Sequence, residues 1–75
     1  MYTKFRQNAK EALKRKGLTY AQVAANSDIE ESSIKRFMCG LSDSRRVAEI
    51  IADAIGCKLV YSNGVYNIAE DKEAE

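Results

Sequence analysis

The 75-residue sequence contains no histidine, no proline and no tryptophan, and only two cysteines. Without histidine there is no imidazole to act as a general base near neutral pH or to ligate a metal. Cys39 and Cys57 are too few to hold a tetrahedral zinc ion by themselves, and they do not form a closely spaced pair. No apolar run approaches the ~20 residues needed to cross a bilayer, and the N-terminus MYTKFRQNAK has no apolar signal core. These absences argue against an enzyme, a metal or cofactor centre, and a membrane protein. They fit a cytoplasmic protein whose two thiols stay reduced and serve as small packing residues.

What is present has globular balance: 45% of residues are apolar and 31% charged, which separates the chain from disordered sequences. A domain this short buries only about 60% of the surface exposed by its unfolded chain. It can build one small core but no deep cofactor cavity, and it stands to gain stability by oligomerising.

Charge is unevenly distributed although the total is only +1. Residues 1–46 carry ten Lys/Arg and five acids, a net +5, whereas residues 47–75 carry a net −4. A basic front and an acidic back point to one face suited to an anionic polymer.

Periodicity divides the chain into four helices and a hairpin. Phe5, Ala9, Ala12 and Leu13 form one helical stripe over 3–16, with Lys4, Arg6, Lys10, Glu11, Lys14 and Arg15 off it. Lys14, Arg15 and Lys16 followed by Gly17 form a C-terminal stop. Thr19 and Gln22 fit a capping box that opens a short helix over 20–26, with Val23 and Ala24 inward. Asn26, Ser27 and Asp28 break that helix, and a tight turn fits there because Asp and Asn tolerate the left-handed region. A third helix is expected over 30–38, with Ile29, Ile34 and Phe37 apolar and a weaker capping box from Asp28 and Glu31. The fourth, over 44–55, carries the stripe Val47, Ile50, Ile51, Ala54 and Ile55, and Gly56 closes it.

Beyond Gly56 the period changes to two. Asn63-Gly64 between the runs 57–62 and 65–68 predicts a β-hairpin with a type I′ turn. The two-residue turn pairs Ser62 with Val65, Tyr61 with Tyr66, Val60 with Asn67 and Leu59 with Ile68. One face is then Leu59, Tyr61, Tyr66 and Ile68; the other, with Val60 and Val65, is mixed. Residues 69–75 are expected to form an acidic, flexible tail after a single domain spanning 1–68.

The two short helices at 20–39 have the dimensions of a DNA-binding helix-turn-helix. The run Leu13-Lys14-Arg15-Lys16-Gly17-Leu18-Thr19, then Val23-Ala24, Ile29, Ile34, Phe37 and Gly40, resembles the Cro/repressor type of helix-turn-helix, also called xenobiotic-response-element type. The resemblance covers about residues 5–56. It implies a mainly α, lambda-repressor-like four-helix domain followed here by the C-terminal hairpin, which is similar in general form to the strands of Cro itself and of helix-turn-helix antitoxins.

By that resemblance Glu31, Ser32, Lys35 and Arg36 match positions used for base edges and nearby phosphates. Arg36 is the first candidate for base readout, because a guanidinium bonds guanine in bidentate fashion, and Lys35 suits a phosphate. Glu31 either accepts from cytosine N4 or serves the helix dipole. Thr19 and Tyr20 open the second helix, where free N–H groups meet a phosphate. Arg45 and Arg46 sit where the family grips the backbone or the minor groove. Departures from the pattern are Tyr20 for the usual Gln, Asp28 for a Gly and Ser27 for an apolar residue.

The implied function is a DNA-binding transcriptional regulator, acting as a repressor on a palindromic operator. It would be a homodimer whose interface includes Leu59, Val60, Tyr61, Val65 and Tyr66, because exposed strand edges invite pairing. Its partner is double-stranded DNA; no cofactor is expected. Two rival expectations are an antitoxin that also binds a toxin protein, and a protein-only adaptor that keeps the fold without DNA.

Overall fold

Each helix stops where a residue adopts positive φ or a cap supplies the missing hydrogen bonds. The computed structural model describes residues 1–70 and contains α1 (Thr3–Lys16), α2 (Tyr20–Ser27), α3 (Glu31–Met38), α4 (Arg45–Ala54), β1 (Cys57–Ser62) and β2 (Val65–Glu70). α1 closes at Gly17, whose φ of 68° lets its own and the next amide reach back to the carbonyls of the last turn. Thr19 and Gln22 form the expected capping box at the start of α2. Asp28, at φ 59°, ends α2 in the left-handed region, and its amide donates to the Ala24 carbonyl.

That geometry overturns one expectation. Asp28 closes α2 and does not cap α3; the N-cap of α3 is Glu30, which makes no side-chain cap hydrogen bond. Helix α4 begins one residue later than expected, because Ser44 is its N-cap and accepts from the Val47 amide at 3.3 Å. Its buried face is also rotated: Ala48 and Ala52 are buried with Val47, Ile51 and Ile55, while Ile50 and Ala54 are only half-buried. Small alanines let α4 approach its neighbours closely, a preference that a pattern of large apolar residues does not register.

One core joins all four helices, centred on Phe5, Val23, Ile34, Phe37, Ile51 and Ile55. Strand pairing follows the expected register, Leu59 opposite Ile68 and Ser62 opposite Val65, through a turn with Asn63 and Gly64 both at positive φ. β2 runs two residues further than expected, so Ala69 and Glu70 pair with Lys58 and Cys57 and do not begin a tail. Residues 71–75, the rest of the expected tail, lie outside the described residues.

The hairpin packs on its own helices, β2 against α1 and β1 against α4. Leu59, Tyr66 and Ile68 meet the core, but Tyr61 is 59% exposed and touches only the edge of the cluster through Tyr66, ring centroids 4.7 Å apart. Tyr61 shares the inward face yet sits near the hairpin tip, where the helices no longer reach. The chain start is tied down as well. Tyr2 is buried and stacks on Tyr66 at 4.4 Å with the rings nearly parallel, and the Tyr66 amide donates to the Met1 carbonyl at 2.9 Å.

Burial, followed by the adjoining Tyr66, holds the Tyr2 phenol above the ordinary tyrosine pKa of about 10. The folded state therefore keeps the Tyr2 proton more tightly than the unfolded chain does. This contribution to stability is complete below about pH 10 and is lost as pH rises through the raised folded value. Urea titrations carried upward from about pH 9 should show this contribution unchanged until about pH 10 and lost above it, and Tyr2→Phe should make the fall shallower. An identical fall in Tyr2→Phe would remove Tyr2 as its cause.

Candidate nucleic-acid interface

The surface of α3 is set by its 3.6-residue period. Ile34 and Phe37 are fully buried, which turns Ser32, Lys35 and Arg36 to solvent and leaves Glu31 half-exposed. The α2–α3 connection is only Asp28–Glu30, so the left-handed Asp28 fixes the angle at which α3 leaves α2.

The candidate cations differ in how free they are. Lys35 pairs with Glu31 one turn earlier at 3.3 Å, and Arg45 pairs with Glu49 at 3.2 Å. Both are exposed i,i+4 pairs of the kind that contributes a few tenths of a kcal/mol, so a phosphate can compete for either cation. Among the described residues Arg36 and Arg46 have no ion-pair partner. Arg36 lines a cleft of about 210 Å³ with Ser33, Ser42, Ser44 and Val47. A guanidinium beside three serines, of which Ser44 already accepts from the Val47 amide, offers donors suited to phosphate oxygens or the acceptor edge of a base.

The structure does not gather every candidate into that cleft. Arg46 lines a separate groove between α4 and β1, with Glu49, Asp53 and Lys58 at its rim. Thr19 and Tyr20 lie against α1, where Lys10, Lys14 and Leu18 join them around a cleft of about 320 Å³. Thr19 is already committed: its hydroxyl accepts from the Gln22 amide at 3.1 Å and its own amide donates to the Gln22 side chain at 2.9 Å. The amides left for a ligand at this end of α2 are those of Tyr20 and Ala21. In the hairpin, Leu59 and Tyr66 are occupied by the chain's own core, Val60 and Val65 face outward at 39% and 41% exposure, and Tyr61, on the inward face near the tip, is 59% exposed.

Sequence reasoning missed Arg6. The helical period puts it off the apolar stripe of α1, yet its side chain is only 18% exposed and bonds to Phe37 at the end of α3 and to Ser42 and Asp43 in the turn before α4. Its position one residue after Phe5, at the rim of the apolar stripe, was the available signal. Its partners lie 31–37 residues away, beyond the reach of any local pattern. Among the described residues no group of acidic, cysteine or histidine side chains is suited to a metal, and both cysteines are free. No helix among them is long and apolar enough to cross a membrane. Comparison of the chain with protein-family models, with curated proteins and with solved structures finds no match in any of the three.

Proposed function

We propose that this protein binds double-stranded DNA sequence-specifically as a homodimer and acts as a transcriptional repressor. In this reading α2, the Asp28 turn and α3 form a helix-turn-helix of the Cro/repressor type, and α3 enters the major groove. The observation that carries the reading is the outward face of α3, where Arg36, without an ion-pair partner among the described residues, lines a cleft with Ser33 of α3, Ser42 of the following turn and Ser44 at the N-cap of α4. Lys35 and Arg45 flank it on exchangeable surface pairs. Bidentate contact by Arg36 reads a guanine, and the flanking cations hold phosphates.

Size supports two copies. The body measures 29 × 28 × 19 Å, small against the double helix's repeat of about 34 Å, so reading two successive major-groove faces takes two copies. The outward hairpin face is mixed, and its exposed Val60 and Val65, opposite Asn67 and Ser62, are the apolar side chains it offers for the twofold contact. Val65→Glu leaves the core untouched and should convert the dimer to a folded monomer by analytical ultracentrifugation, with a large loss of operator affinity. A Val65→Glu protein that is still a dimer would place the interface elsewhere.

The two intrahelical ion pairs that engage Lys35 and Arg45 favour a second reading, a protein-only adaptor with little affinity for DNA. A gel shift of the full chain on random duplex DNA separates the two. The DNA-binding reading expects a complex at low salt that weakens steeply as salt rises; an adaptor gives no complex at either salt. Arg45→Ala and Arg46→Ala should each reduce the slope of log affinity against log salt by about one. An unchanged slope in both would mean that the first turn of α4 points away from DNA.

A further inference from the structure

We propose that Arg6 is a positioning residue for the α3 surface: it fixes the turn between α3 and α4, and through that turn the setting of Arg36. The inference rests on the DNA-binding reading above. Three acceptors converge on this one guanidinium. Nε donates to the Phe37 carbonyl at 2.6 Å, and Nη2 donates to the Ser42 carbonyl at 2.9 Å and to the Asp43 carboxylate at 2.8 Å. The first acceptor lies in the last turn of α3 and the other two in the turn that leads to α4. The guanidinium carbon also stands 4.8 Å from the Phe37 ring centroid and 5.8 Å from that of Tyr2.

The geometry explains why these contacts do more than add stability. A guanidinium is a rigid planar fork, so simultaneous bonds to Phe37 and Ser42 set the distance between the end of α3 and the start of α4. Ser42 is the link: Arg6 holds its carbonyl, and the same residue lines the cleft with Arg36 and Ser44. The turn is otherwise held at its start, by the amides of Gly40 and Leu41 donating to the carbonyls of Phe37 and Arg36. With Arg6 in place the side chain of Arg36 meets a fixed wall; without it that wall can shift. A lysine keeps the charge and most of the aliphatic stem but cannot bond three acceptors in that plane.

The test uses the full chain as wild type, Arg6→Lys and Arg36→Ala, with the two changes also combined. Amide exchange at Leu41 reports the turn in the free protein. The affinity ratio for a selected sequence over random DNA reports its consequence. Arg6→Lys should stay cooperatively folded and speed Leu41 exchange about tenfold. It should also lower the affinity ratio by about tenfold, and by less than about twofold when Arg36 is already alanine, because the two changes then act through one contact. An unchanged ratio, or the same loss in both backgrounds, overturns the proposal. Should Arg6→Lys fail to fold, Asp43→Asn, at a site 69% exposed, weakens only one of the three bonds; it should move both readouts the same way, and no movement overturns the proposal. If the wild type selects no sequence, the DNA-binding reading fails by itself. Leu41 exchange then still decides whether Arg6 fixes the turn, and unchanged exchange rejects it.

Discussion

Replacing Phe37 with alanine should cost about 3–5 kcal/mol of stability, as for other fully buried aromatic residues cut back to alanine. Phe37 has no exposed surface, and its ring makes edge contacts with Phe5 at 5.8 Å and Tyr2 at 5.1 Å, beneath the Arg6 guanidinium. A chain of this length has a total stability of about 4–11 kcal/mol at the usual 0.05–0.15 kcal/mol per residue. One truncation at this point therefore removes a large share of it. Urea unfolding followed by circular dichroism measures the loss directly. A cost below about 1.5 kcal/mol would mean that the site collapses easily and that the aromatic cluster is not the anchor of α3.

The second large effect concerns sequence preference. Arg36→Ala should remove about 1–3 kcal/mol of discrimination per half-site, and about twice that for a dimer on a symmetric site, while part of the affinity for random DNA survives. Arg36 is exposed and has no ion-pair partner among the described residues, so its removal leaves the fold intact. Base contacts specify and phosphate contacts position; a variant that loses affinity equally on all sequences would reassign Arg36 to the phosphates.

Legibility from sequence followed the range of the interactions. The bounds of α1, the Thr19–Gln22 capping box, the turn at Asn63-Gly64 and the strand register all depend on residues close in the chain, and all were readable. Sequence puts Asp28 in a tight turn but does not tell which helix it serves, because a left-handed residue closing α2 occupies the same few positions as a cap opening α3. Ala48 and Ala52 were missed because burial of a small residue leaves little periodic signal, and the inward reach of Arg6 because its acceptors belong to another element. Exposure of Arg36 followed from the period of α3. The cleft it shares with Ser42 and Ser44 did not, since that depends on how the loop folds back across the end of the helix.

Selection of bound duplexes from a random pool by the wild-type chain tests whether the α3 face reads DNA sequence in two copies. The expected outcome is enrichment of a twofold-symmetric sequence whose half-sites lie about 10–10.5 base pairs apart, centre to centre. A parallel selection with Arg36→Ala should lose the preference at one position in each half-site. A pool that stays random after repeated rounds at low and moderate salt would contradict the DNA-binding reading.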